Sequence, residues 1–195
     1  MTKKEGVLMP RVLVPLAKGF EEIEAVSIID VLRRADIEVL IASLDEKNLV
    51  EGANGITLET DLEVKSVKSE SLDMIVLPGG WEGTHALADD ENIQRLLKEM
   101  NAAGKNIAAI CAAPFALNRA GVLKQNYTCY PSIEEQIREE GYQGDKMMVV
   151  EDENILTSRG PATAICFALA IVKKLQGEES YLALKSDLLA SYCVS

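Results

Sequence analysis

The chain has one histidine, His85, so any cysteine–histidine dyad would have to use that residue. It has no C-x-x-C pair and no histidine–cysteine cluster at metal-ligand spacing, which removes support for a zinc site. Neither G-x-x-x-x-G-K-[ST] nor G-x-G-x-x-G occurs, so the sequence offers no phosphate loop and no dinucleotide fingerprint. Lys and Arg number 20 against 31 Asp and Glu, and they nowhere cluster into a phosphate-binding face. The formal charge of -11 therefore speaks against a nucleic-acid partner. No apolar run approaches the length of a membrane span, and the opening MTKKEGVLMP is too short in its apolar part for a signal peptide. A soluble, unprocessed, cytoplasmic protein without metal or cofactor is the expectation. The four cysteines, Cys111, Cys129, Cys166 and Cys193, are scattered rather than paired as in a secreted scaffold, so reduced thiols are expected.

What is present is enough for a core. A chain of 195 residues with 48% hydrophobic residues reads as one domain, residues 1–195. RVLVPL (11–16) is a β-branched, apolar strand, and FEEIEAVSIIDVLRRA (20–35) places Ile23, Val26, Ile28, Ile29 and Leu32 at roughly helical spacing. IEVLIAS (37–43) is a second strand, and Asn54-Gly55 within NLVEGANGITLETD predicts a tight hairpin. DMIVLPGG (73–80) reads as a third strand, then a glycine-bearing loop, then a helix from about Asp90 to near Gly104. NIAAIC (106–111) is the fourth strand. A short helix ending near Gly121, strands in KMMVVED and NILTS, an apolar helix with Pro161 in its first turn, and a last helix from about Glu178 complete the chain. Alternating apolar strands and helices predict a three-layer α/β/α sandwich on a mostly parallel sheet, flavodoxin-like in plan.

Ligands in such folds collect at the carboxyl ends of the strands, which is where Cys111 falls. A nucleophile on a tight strand-to-helix turn has backbone N–H groups of the next helix pointing at it, and Ala112 and Ala113 leave room for that turn. The helix terminus favours negative charge, so Cys111 is expected to carry more thiolate than a free cysteine. Glu21 and Glu22 follow Gly19 at the end of the first strand, on the same edge, where either can face the thiol. A carboxyl buried there would have a raised pKa and could shuttle a proton. Gly79 and Gly80 would let backbone N–H groups approach an anion, and His85 lies in the loop or short helix that follows.

With GFEEIE, VLPGG, AAICAAP and ILTSRGPATA in this order, the chain resembles the ThiJ/PfpI superfamily, and within it the branch of the parkinsonism-associated deglycase. The likeness covers nearly the whole chain beyond the first ten residues. It implies that Cys111 is the reactive nucleophile and Glu22 the acid whose carboxyl contacts its sulfur. It further implies that the N–H groups of Gly79, Gly80 and Ala112 face the substrate oxygen or an oxidised sulfur, and that Arg159, Gly160 and Pro161 lie beside the pocket. A homodimer is implied as well. The branch usually carries a histidine before the proline where this chain has Tyr130, in TCYP, and the protease branch has a histidine where this chain has Ala112. The first departure removes an acid–base partner; the second speaks against a peptidase. The resemblance implies action on reactive dicarbonyls such as methylglyoxal, or on glycated products, through Cys111. The alternative is a redox sensor or stress chaperone that uses oxidation of the same sulfur. A role in thiamine metabolism ranks last.

Overall fold

The computed structural model of the chain describes residues 9–46 and 48–193. The first eight residues of the opening segment read above as too short for a signal peptide lie outside them. The central sheet contains β1 (Arg11–Leu16), β2 (Glu38–Ser43), β5 (Leu62–Glu63), β6 (Met74–Leu77), β7 (Asn106–Ile110), β8 (Val149–Asp152) and β9 (Ile155–Ser158). Their order is β5-β2-β1-β6-β7-β9-β8, parallel except where β8 runs antiparallel to β9 at the edge. β3 (Leu49–Glu51) and β4 (Thr57–Glu59) form a separate antiparallel hairpin around the predicted Asn54-Gly55 turn.

Alternation along β1 shows why the strands are apolar throughout. Val12, Val14 and Leu16 enter one core with residues of α1 (Glu22–Arg34) and α6 (Ala164–Gln176). Leu13 enters a second core, with Ile93, Leu96, Leu97 and Met100 of α3 (Glu91–Ala102) and with residues of α4 (Pro114–Arg119). Each fully buried Leu or Ile contributes about 1.5–3 kcal/mol by leaving water, so a strand covered on both faces selects apolar residues at every position. The expected three-layer sandwich with a mostly parallel sheet is the observed architecture.

Three local expectations are corrected. In α1 the buried stripe runs through Glu24, Ala25, Ile28, Ile29, Val31 and Leu32, whereas Ile23 is 58% and Val26 44% exposed. The apolar side chains at 23 and 26 lie on the outer side and misphase the helix when counted as core. Residues 81–89, read as a glycine-bearing loop or short helix, form a full helix, α2 (Trp81–Asp89), in which Gly83, Thr84, Leu87 and Ala88 are buried. Gly, Thr and His are weak helix formers, and tertiary packing overrides them here. The glycine is required: a β-carbon on Gly83 would lie 3.0 Å from the backbone nitrogen of Phe20.

The third correction concerns the cysteines. Cys166 of α6 and Cys193, beyond α7 (Glu178–Asp187), form a disulfide, while Cys111 and Cys129 are free. The separation of 27 positions hides the relationship in the sequence, because α7 has to turn back along α6 before the two meet. Among the described residues no helix is long and apolar enough to cross a membrane.

Candidate active site

Cys111 sits one residue beyond β7, with its backbone in the left-handed region at φ 64°. Side chains other than glycine rarely adopt that conformation, and it persists here because both backbone groups are tied. The Cys111 N–H donates to the Ser158 carbonyl at 3.0 Å, and the Cys111 carbonyl accepts from the Tyr130 N–H at 2.8 Å. A turn from Ile110 to Ala113 then feeds α4, whose first residue, Pro114, suits a helix start. The predicted tight elbow is present, at the carboxyl edge of the sheet.

The acid beside it is Glu24, not Glu22. Glu24 is 0% exposed, and its Oε2 accepts the Gly79 N–H at 2.8 Å. A β-carbon on Gly79 would lie 2.6 Å from that same oxygen and 3.1 Å from the Cys111 sulfur, so only glycine lets carboxyl and thiol share this space. Glu22 points elsewhere. Its carboxylate accepts the Asn54 N–H at 2.5 Å, the Asn54 side-chain amide at 2.9 Å and the Ile56 N–H at 3.4 Å, which fastens the β3–β4 hairpin to the start of α1. Burial opposes the Glu22 charge, but the Asn54 and Ile56 donors outweigh it and hold the carboxyl below its ordinary value. Glu21, the other acid considered, caps α1 by accepting the Glu24 N–H at 2.7 Å.

The two acids of the first turn therefore differ in protonation. Burial pushes Glu24 up to about 7, against the lowering effect of the Gly79 amide and of Cys111. Its other oxygen, Oε1, is buried with no hydrogen-bond partner among the described residues. A bare carboxylate oxygen in an apolar site is costly, and a proton relieves the cost.

The expectation of a thiolate-rich Cys111 is corrected in direction. Burial and then the Glu24 charge push its thiol up, while the backbone amides of Gly80 and Ala112 act the other way. The helix behind the sulfur is only six residues long, too short for its dipole to dominate a buried anion next to a carboxylate. Of the three predicted amides, Gly80 and Ala112 face the sulfur, whereas the Gly79 N–H is committed to Glu24. Gly80 is in the left-handed region at φ 91°, and a β-carbon on it would strike the Gly19 carbonyl oxygen at 2.2 Å. That close approach joins the loop after β1 to the loop after β6.

Tyr130 is adjacent, held through its backbone to Cys111. Its side chain is 49% exposed and covers Gly160, where a β-carbon would meet the ring at 3.3 Å. Pro161 follows in a 3-10 turn, so the Arg159-Gly160-Pro161 segment borders Tyr130. The Arg159 charge acts on Cys129 and Tyr142. His85 does not form a dyad with Cys111: its ring packs edge-on against Trp81 at 4.2 Å between centroids and against Phe115 at 5.1 Å. Among the described residues no group of three or more His, Cys, Asp or Glu is placed to hold a metal.

Glu24 was the residue the sequence reading missed. Its signal is present: with Glu21 as the cap, Glu24 precedes Ile28 by four positions and Val31 by seven, an acid on the apolar stripe. Counting Ile23 and Val26 as core conceals it.

Comparison with known proteins identifies the family. Residues 10–174 match the model of the DJ-1/PfpI family. The chain is 39% identical over 181 residues to protein dj-1beta of Drosophila melanogaster, covering 92% of this chain and 97% of that protein. It is 37% identical over 175 residues to the glutathione-independent glyoxalase DJR-1.2 of Caenorhabditis elegans, covering 90% of this chain and 91% of that one. The crystal structure of Drosophila melanogaster DJ-1beta superposes with a TM-score of 0.89 over 93% of this chain and 98% of that chain. A buried glutamate and a cysteine elbow on this sheet, a match across most of the chain and relatives of this similarity lead to one assignment: the chain belongs to the DJ-1/PfpI family.

Proposed function

We propose that the chain is a cysteine-dependent enzyme that converts reactive dicarbonyls such as methylglyoxal to hydroxy acids without a cofactor. The observation that carries this reading is Glu24: a fully buried carboxyl with a pKa of about 7, set against the Cys111 thiol. A general acid–base works best when its pKa is near the working pH. The C. elegans relative named as a glutathione-independent glyoxalase supports the same chemistry.

In the proposed cycle the Cys111 sulfur adds to the aldehyde carbon, and its proton reaches the new oxygen by way of Glu24, giving a hemithioacetal. The amides of Gly80 and Ala112 are positioned to hold charge that develops beside the sulfur. Glu24 then takes the C1 proton and returns one to C2, leaving a thioester on Cys111. Water hydrolyses the thioester, releasing the hydroxy acid and restoring the thiol. The net reaction is addition of one water to the dicarbonyl. Removal of sugar-derived adducts would use the same sulfur.

The test is lactate formation from methylglyoxal, with neither glutathione nor added metal, by wild type and Cys111→Ser. Loss of the activity in the variant is expected; equal rates overturn the proposal.

A second reading, oxidation sensing at Cys111, is favoured by Tyr130, which leaves the sulfur without an imidazole partner. Protonated Glu24 would then donate a hydrogen bond to a sulfinate. Either role is compatible with a homodimer, for which the exposed Ile23 and Val26 of α1 and Ile56 of the hairpin offer an apolar face. Ile23→Asp is expected to shift the sedimenting species from dimer to monomer; an unchanged mass in both chains would remove this face as the interface.

A further inference from the structure

The Cys166–Cys193 disulfide is not used by the proposed chemistry. Three observations concern what it does. First, α7 is weakly held by its own sequence: Tyr181 and Leu184 are its only buried residues, and its ion pair to α6, Lys173–Glu178, is on the surface. Surface pairs of this kind contribute little.

Second, the chain beyond α7 turns back through an unfavourable residue. Leu189 is in the left-handed region at φ 54° and is 85% exposed, so a large apolar side chain is in water at a position that suits glycine. After that turn Ala190 and Cys193 are buried, with the Ala190 N–H on the Lys185 carbonyl and the Cys193 N–H on the Ala190 carbonyl. The covalent bond compensates for the turn.

Third, the bond borders a cavity although both cysteines are buried. A cavity of about 760 Å³ is lined by both cysteines together with Met147, Met148, Lys173 and Tyr181. That volume suits a small molecule. Lys174 on its wall is paired with Glu151 and Lys173 with Glu178, so the lining carries no marked excess of charge.

We propose that Cys166 and Cys193 form a second redox centre, a latch on the C-terminal segment, opened and closed by exchange with a small-molecule thiol that enters this cavity. In opening, the thiolate of one such molecule attacks a protein sulfur, giving a mixed disulfide and a protein thiolate. A second molecule attacks the mixed disulfide, releasing the oxidised small-molecule disulfide and the other protein thiol. Two electrons pass from the two small thiols to the bond, and two protons end on Cys166 and Cys193. The oxidised small-molecule disulfide reverses the sequence. Release of the latch leaves α7 and residues 188–193 held mainly by the packing of Tyr181, Leu184, Ala190 and Cys193, which lowers the local opening barrier while the central sheet is unaffected.

The test uses reduced and oxidised glutathione as the probe, on the Cys111→Ser, Cys129→Ser chain and, by peptide mapping, on wild type. Samples poised at increasing ratios of reduced to oxidised glutathione are alkylated and weighed. The expected result is two alkyl groups appearing together on Cys166 and Cys193, with a trapped glutathione adduct on one of them. Amide exchange across 178–193 is expected to rise roughly tenfold or more on reduction, with β1, β6 and β7 unchanged. Cys193→Ser should show the faster exchange at every ratio. Failure of either cysteine to react short of global unfolding, or unaltered exchange in 178–193 after reduction, overturns the proposal.

Discussion

The sulfur of Cys111 and Oε2 of Glu24 converge on the bare α-carbon of Gly79, where a β-carbon would lie 3.1 Å from the first and 2.6 Å from the second. Glu22, two residues earlier on the same helix, is engaged by Asn54 and Ile56 instead. Glu24→Gln and Glu22→Gln are therefore expected to separate. The first should lower dicarbonyl turnover by about 10² to 10⁴, the usual worth of a placed acid–base group. The second should leave turnover within about tenfold and cost about 1–3 kcal/mol through the loosened hairpin. Steady-state rates and denaturant midpoints on both variants check this; the opposite ranking would return the proton-transfer role to Glu22.

Glu24 also makes stability depend on pH. Its carboxyl moves from an ordinary 4.5 to about 7 in the folded chain, so the native state binds the proton more tightly than the unfolded one. The associated stability is fully present below pH 4.5 and is lost as pH rises to about 7, amounting to about 3 kcal/mol. Glu24→Gln should remove that slope, so the difference between wild-type and variant unfolding free energies should change across this window and flatten above it. A constant difference from pH 4 to 8 would mean that Glu24 titrates normally.

Tyr130→His should raise dicarbonyl turnover, by less than the full 10² to 10⁴ because the new imidazole lacks packing that fixes its tautomer. The backbone bond from Tyr130 N–H to the Cys111 carbonyl does not depend on the side chain, so the elbow should be unchanged. The gain should be absent with Cys111→Ser. An unchanged kcat with intact Cys111 reactivity would leave Glu24 carrying every proton.

Mild peroxide should modify Cys111 before Cys129. Cys129 is fully buried, and burial followed by the Glu134 charge pushes its thiol up to about 12. Burial, the larger cause, and then the Glu24 charge also raise Cys111; protonation of Glu24 removes the second, the Gly80 and Ala112 amides oppose the first, and Cys111 at 9% exposed is more accessible to peroxide than Cys129 at 0%. Peptide mapping after brief oxidation reads the order; Cys129 reacting first would refute it.

The elbow was legible because a strand ending on cysteine, two alanines and a proline leaves few local alternatives, and the observed turn follows that pattern. Glycine at 79 and 80 was equally readable as close approach, though which amide faces which atom was not. α2 was not legible, since Gly83 and Thr84 are poor helix formers whose burial supplies what propensity lacks.

Periodicity and side-chain volume in the sequence by themselves determine the layered sheet, because every β1 position after Arg11 is buried on one face or the other and only apolar residues suit both. They also place a cysteine directly after β7 and acids shortly after β1. Tertiary structure alone decided which acid meets the sulfur. A helix rotates 100° per residue, so Glu22 and Glu24 diverge by more than a right angle, and only the placement of the hairpin and of Gly79 determines which one each acid meets. It also decided the pairing of Cys166 with Cys193, because contact across 27 residues depends on where α7 turns, and no local pattern encodes that distance.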